Sequence, residues 1–328
     1  MILYAIALTV LQNQVNMKNN ILYVFFGVGT EYTLNPLYNY MKEQGYNCIE
    51  ITTATCNDMK KALCELKAKE CIFITSAHVF LDETYSYYIN ESCNLSALEA
   101  IDILKPVKIV HYPHDLSSLL HDFDLPWLYS IFDLILFPFD GYTHLSCNGK
   151  PIYNVGWIKK LNKTGIGKRF QVGHGTGENS YYYNLGLEHI YNIFCNVWKQ
   201  GVIIKDGLLK QWNIIKQFYD KNKLNYIEPS KSIFELIDSC EIMLTNSLTS
   251  INLESALSGR YTINMLDGIF EKSIHEKYFG SLPNLKILTI DDTVELLKDY
   301  YNNEFIPPQG EDLLKCFDFK LAVKLIAE

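Results

Sequence analysis

The densest set of residues able to grip an anion lies in Ile237–Gly259, which reads IDSCEIMLTNSLTSINLESALSG. Thr245, Asn246, Ser247, Thr249 and Ser250 fall between a short apolar run, Cys240–Leu244, and a stretch of helical spacing that begins at Ile251 and stops at Gly259. A helix start presents unpaired N–H groups and about half a positive charge, so phosphate is the ligand class it favours. Hydroxyls beside it can donate to the same anion. Ser and Thr are also good N-caps, a role that needs no ligand. One turn into the helix, Glu254 stands where a carboxylate can accept both hydroxyls of a ribose or a sugar. Without a ligand, the same carboxylate is a favourable helix N-terminal charge.

Other groups of the same kind recur where an apolar run gives way to helical spacing. Gly173-His174-Gly175-Thr176-Gly177 follows a short apolar run, and its alternate glycines suit a chain of N–H groups curled around an anion. A hinge without ligand is the alternative, and the lack of Gly-Lys-Ser/Thr excludes a P-loop. Lys205 closes another run, either neutralising a bound anion or simply solvated. Pro229 and Ser230 form a corner able to bracket a nucleobase through backbone groups. In the first half, His114 ends a run at His111-Tyr112-Pro113-His114-Asp115, where a neutral imidazole can take a proton from an attacking hydroxyl. Asp115 and Asp140 are the candidate carboxylates to orient it. Gly27, Gly29, Thr30 and His78 also lie at run ends and are candidates for an acceptor substrate. HExxH and GxSxG are absent, and Asp122-Phe123-Asp124 spells DxD in a stretch that reads as a solvated loop. No metal site and no cofactor is expected.

The elements that must position these residues are legible as short apolar strands separated by helices. Strands are predicted at Ile21–Phe26, Cys48–Thr52, Cys71–Thr75, Val107–His111, Leu134–Phe137 and Ile152–Val155, with the polar, basic stretch Lys159–Lys168 as a linker. The pattern then restarts at Phe170–Val172, Val202–Lys205, Leu224–Ile227, Cys240–Leu244 and Tyr261–Leu266, with a late helix over Asp312–Ile326. Continuous apolar strands alternating with helices imply parallel sheets covered on both sides, an α/β fold. The expected organisation is an N-terminal extension over 1–16, a Rossmann-like acceptor domain over 17–158, a linker over 159–168, a nucleotide-donor domain over 169–308 and a C-terminal helix over 309–328.

At 328 residues and 48% hydrophobic, the chain can bury the cores of two domains. A formal net charge of −8 argues against nucleic acid as a partner. The nine cysteines show no CxxC pair, which suits reduced thiols in a cytoplasm. MILYAIALTVL is too short to span a bilayer and lacks a basic flank, so it reads as an upstream extension before a second start at Met17, or as a weak peripheral contact at the inner membrane face.

The pattern of DSCEIMLTNSLTSINLESALSG followed by RYTIN resembles the GT-B glycosyltransferases, whose two Rossmann-like domains face across a cleft. Within that class it is similar to the CDP-glycerol glycerophosphotransferases and the capsule polysaccharide transferases. The resemblance implies that Ser247, Thr249 and Ser250 meet a nucleotide diphosphate and Glu254 its ribose. It implies a nucleotide-activated sugar or CDP-glycerol as donor, and a glycan, lipid-linked or protein acceptor. Nonhydrolysing UDP-sugar 2-epimerases share the layout, as would a binding protein of the same fold without activity. The first-domain His-Gly-Thr-Pro of the glycerophosphotransferases is not matched: Pro113-His114-Asp115 stands there, while His174-Gly175-Thr176 lies beyond the linker.

Overall fold

The computed structural model describes residues 21–27, 31–52, 55–76, 95–114, 116, 130–139, 151–160, 171–175, 187–205, 212–246, 250–266 and 282–328. The chain divides into two compact units. One comprises residues up to His114, Asp122–Leu161 and Cys316–Glu328; the other comprises Asn162–Lys315 with the short stretch Asp115–His121.

The first unit carries β1 (Leu22–Gly27), α1 (Glu31–Glu43), β2 (Cys48–Thr52), α2 (Met59–Leu66), β3 (Cys71–Thr75), α3 (Ala97–Leu104), β4 (Lys108–His111), β5 (Leu134–Phe137) and β6 (Ile152–Asn154). Its sheet is parallel with strand order β2-β1-β3-β4-β5-β6, so the order reverses between β1 and β3. Alternation along the strands sends successive side chains to opposite faces. Leu22, Val24, Phe26 and Phe73 pack with Met59 and Leu63 of α2 and with Ala97 and Leu104 of α3. On the other face Phe25 meets the Tyr38 ring of α1 at 5.5 Å, and Leu34, Leu37 and Met41 of that helix are buried. Their i, i+3, i+7 spacing is the apolar stripe of a helix laid on a sheet. The α2 and α3 starts are held by Asp58, which accepts from Lys61 N at 2.9 Å, and by a reciprocal Ser96–Glu99 capping box.

The second unit carries β7 (Gln171–Gly175), α4 (Leu187–Trp198), β8 (Ile203–Lys205), α5 (Trp212–Lys221), β9 (Asn225–Ile227), α6 (Ile233–Ser239), β10 (Cys240–Asn246), α7 (Ser250–Leu257), β11 (Tyr261–Leu266), β12 (Leu285–Thr289) and α8 (Ile290–Tyr301). Its parallel sheet has the order β12-β11-β10-β7-β8-β9. Counted from β7, that is 6-5-4-1-2-3, the Rossmann strand order with its reversal between β7 and β10. Val172, Ile204, Ile242, Leu244 and Ile263 form an apolar core with Phe194 and Trp198 of α4, Tyr219 of α5 and Leu297 of α8.

The last helix, α9 (Phe319–Ala327), belongs to the first unit. Helix is expected from Asp312; instead the chain has no regular structure to Asp318 apart from a bridge of Cys316 to Trp157. Gly310 N bonds to Gly259 O at 2.9 Å, and Leu313 and Leu314 N bond to Leu257 O at 2.7 and 3.1 Å, so tertiary partners displace the helical ones. Farther on, Asp318 N bonds to Val155 O at 2.7 Å, and rings pack in series from Trp157 through Tyr112 and Phe317 to Phe319. The α/β class and the two Rossmann-like sheets expected from the sequence are what the structure shows. Among the described residues, no helix is long and apolar enough to cross a membrane.

Candidate functional site

In open parallel sheets, ligands sit beyond the carboxyl ends of strands where the strand order reverses. In the second unit that point lies between Gly175 of β7 and Asn246 of β10, and α7 opens there at Ser250. Gly175 has a specific steric task. A Cβ at this position would come within 3.0 Å of Ile251 and 3.1 Å of Met243, so the absent side chain lets Ile251 in the first turn of α7 pack closely onto β7. The α7 N-terminus, with its partial positive charge, is thereby brought over the reversal point.

The reading of Gly173, His174 and Gly175 as an anion-cradling turn is corrected. All three lie within β7 and pair with Met243, Leu244 and Thr245 of β10 and with Ile203, Ile204 and Lys205 of β8. The alternate glycines answer to packing, since a Cβ on Gly173 would lie 2.6 Å from Cys240 Sγ and 2.9 Å from Leu236. Alternation then turns His174 to the opposite face. There it is fully buried, with its Nδ1 accepting from the Trp198 indole N–H at 2.7 Å and its ring 5.2 Å from Phe194. His174 is thus a core residue of the α4 side, not a side chain that meets a donor.

Lys205 pairs with Gly175 across β7–β8, one strand spacing of about 5 Å from it. The solvated alternative for this lysine is overturned: it is 7% exposed, and its ammonium donates to the Pro229 carbonyl at 3.1 Å. The corner at Glu228-Pro229-Ser230 is pinned from several sides. Glu228 accepts from Lys216 Nζ at 3.0 Å and from the Trp212 indole N–H at 2.7 Å, and Lys231 N returns to Glu228 O at 3.0 Å. The Lys216 contact, seconded by Trp212, holds the Glu228 carboxyl below the usual range against the opposing effect of burial. Pro229 is half-buried and Ser230 exposed at this corner.

Behind the reversal point the α7 face of the sheet is polar: in β11, Thr262 and Asn264 alternate with Tyr261, Ile263 and Met265. Thr245 donates to Asn252 Oδ1 of α7 and to Ile263 O. Thr262 donates to Ser255 Oγ of the same helix at 2.8 Å, and Asn284 donates to Ala256 O at 2.8 Å and Arg260 O at 2.7 Å. Asn252, Glu254, Ser255 and Asn264 are all buried. Helix α7 is therefore enclosed along most of its length and held by side-chain hydrogen bonds, so its N-terminus has a fixed place. Ser250, at its start, is partly exposed; Glu254 is 1% exposed. Of Asn246 the structure describes the backbone at the end of β10.

No protein-family model matches the chain, and no curated protein sequence is similar to it. Among solved structures it is similar to MurG of Acinetobacter baumannii, with 12% identity over 94% of each chain and a TM-score of 0.41. It is similar to the glycosyltransferase VinC solved in complex with dTDP, with 10% identity over 94% of each chain and a TM-score of 0.46. It is also similar to the wall teichoic acid polymerase TagF, with 10% identity over 93% of this chain and 88% of that one and a TM-score of 0.44. At such identity the likeness carries no information about which substrate this chain's own residues meet.

In the first unit, His114 follows β4 at the carboxyl edge and is 9% exposed. Its carbonyl accepts from Thr33 Oγ1 of α1 at 3.3 Å, a bond that fixes the His114 backbone to the first turn of that helix. His111 is a packing residue, buried with its ring 4.5 Å from Phe132. Gly27 is the last residue of β1 and pairs with Thr52. Gly29, Thr30, His78, Asp115, Asp140, Thr176, Gly177, Ser247 and Thr249 lie outside the described residues. Among the described residues, no three His, Cys, Asp or Glu side chains gather as a metal-binding group would.

Proposed function

We propose that this chain is a glycosyltransferase-type enzyme that moves a sugar, or a glycerophosphate group, from a nucleotide-activated donor to an acceptor hydroxyl in the building of a surface polymer. The observation that carries the reading is the second unit's reversal point. The α7 N-terminus opens directly over Gly175, with the buried Lys205 cation on the next strand. A helix start and a cation at one strand edge favour a diphosphate, and α7 is too well anchored to be displaced by it. In this reading the second unit binds the donor, with Pro229 and Ser230 beside its base and Ser247, Thr249 and Ser250 beside its phosphates. The first unit binds the acceptor, and His114 is the base.

The step balances as a displacement. The acceptor oxygen bonds to the transferred group, the bond from that group to the nucleotide phosphate breaks, and the acceptor proton passes to the His114 imidazole. The nucleotide leaves with the electron pair, and the helix start and Lys205 stabilise the charge that develops on it. Metal independence, a cytoplasmic location and peripheral contact with a membrane are parts of the same proposal.

Thermal unfolding in the presence of CDP, UDP, GDP and dTDP tests the donor half. A ligand at about 100 times its Kd raises stability by about 2.7 kcal/mol, enough to rank the bases. A chain that responds to none of them is not a nucleotide-dependent transferase. For the base, His114→Ala should abolish turnover while leaving the nucleotide response intact; surviving turnover removes His114 from the role.

A further inference from the structure

The first unit holds a buried hydroxyl that no hydrogen bond among the described residues accounts for. Ser76, directly after β3, is 2% exposed, and among the described residues its Oγ has no partner. Buried side-chain oxygens are nearly always bonded, so each exception asks for a reason. The place of this one is informative. Phe25 of β1 pairs with Ile74 of β3, and Phe25 packs on Tyr38 of α1. Alternation carries Ser76, two residues beyond Ile74, to that same α1 face.

The first turn of α1 lies at this exit. Thr33, fully buried in that turn, bonds to the carbonyl of His114 after β4, although β3 lies between β1 and β4 in the sheet. The Thr33–His114 link therefore spans the exit of β3, where Ser76 stands. The strand order of this sheet reverses between β1 and β3, which is the ligand position of open parallel sheets. A helix start, an unbonded buried hydroxyl and the reversal point thus coincide.

We infer that Ser76 Oγ and the first turn of α1 form a subsite for a hydroxyl-bearing arm of the acceptor. Ser76 supplies both a donor and an acceptor there, as pairing with an alcohol requires. At this burial the ligand inserts a small arm such as the hydroxymethyl group of a polyol or sugar, and does not lie on the surface. The subsite deepens the acceptor role proposed for the first unit and rests on that reading for the class of its ligand.

Saturation-transfer NMR on the full chain with glycerol and with methyl α-glucopyranoside tests it, alongside thermal unfolding. The expected result is transfer to at least one probe from the wild type, weakened about two- to tenfold by Ser76→Ala. Ser76→Cys, nearly the same size with a weaker donor, should fall between the two. Ser76→Ala should also unfold at the wild-type temperature or above it, because a hydroxyl with no partner among the described residues is lost at no cost to the fold. Three results overturn the inference: no transfer to either probe, probe binding unchanged by Ser76→Ala, or a melting temperature lowered by Ser76→Ala. The nucleotide experiment separates the two readings. Nucleotide binding without probe binding removes the subsite alone, whereas probe binding through Ser76 without any nucleotide response keeps the subsite and removes the transferase.

Discussion

The two sheets share parallel pairing and six strands, yet their central strands are built differently. In the first unit, β1 and β3 present apolar side chains to both faces, down to Gly27 and Thr75 at the exit. In the second, the α4 side of β10 and β11 is apolar, while the α7 side carries Thr245, Thr262 and Asn264. Apolar packing tolerates small shifts of a covering helix, because it has no directional bonds. Hydrogen bonds from Thr245, Thr262 and Asn284 to α7 do not, and they fix its axis and its rotation. The difference teaches that α7 is fixed by directional hydrogen bonds along its length, whereas α2 and α3 are held on the first sheet chiefly by apolar packing.

The comparison breaks most severely at Gly259, which ends α7 with φ +81°; a Cβ there would lie 2.6 Å from Gly310 O. Gly259→Ala should cost about 2–5 kcal/mol by backbone strain and overpacking together. Gly45→Ala in the first unit, at φ +83° but with nothing near its Cβ, should cost only about 1–3 kcal/mol. Urea unfolding of the pair measures the gap, and equal losses would mean that the Gly259–Gly310 contact is not a constraint. Thr262→Val comes next, at about 1–3 kcal/mol, since it strips a buried partner from Ser255. Its apolar counterpart in the first sheet, Ile74→Val, should cost about 0.5–1.5 kcal/mol. A neutral Thr262→Val would show the polar layer to be no anchor for α7.

Lys205→Met should weaken nucleotide binding about tenfold, or 1.4 kcal/mol, while the chain remains folded; titration calorimetry reads the change. An unchanged affinity would put the cation away from the phosphates. The smallest effect is one the units share. Burial pushes the thiols of Cys48 in the first sheet and Cys240 in the second up to about 12. Between the unfolded thiol value of 9.0 and that level, the unfolded chain releases protons that the folded chain keeps. Stability should therefore fall as pH rises above about 9, and Cys240→Ala should flatten the fall. An unaltered profile in that variant would assign the loss elsewhere.

Strand positions were the most legible part of the sequence. Cys48–Thr52, Cys71–Thr75, Leu134–Phe137 and Tyr261–Leu266 stand where they are predicted, and Leu134–Phe137, apolar and buried at every position, shows the trace of a strand covered on both faces. Leu285–Thr289 lacks that trace, because it is the sheet edge with exposed Lys286 at its second position. Helix α3 went unread, although Ser96 and Glu99 spell its capping box. Glycines misled at β7, where Gly173 and Gly175 look like a loop until Cys240, Leu236 and Ile251 are seen against them. At the candidate site, the α7 start and Lys205 could be read from hydroxyls and strand ends. The layer beneath could not, since a buried threonine and a solvated one are written alike, and only the fold separates them.

The first unit includes Cys316–Glu328, whose backbone bonds to Val155 and Lys160 and whose Phe317 and Phe319 complete its aromatic series. Lys108 at the start of β4 also donates to the carbonyls of Leu325 and Ile326 at 2.8 and 3.1 Å. These partners leave the ribosome after the whole of the second unit. Domains ordinarily fold in the order in which they emerge. Here the N-terminal unit cannot complete its packing over the Tyr112 ring until the last residues have emerged.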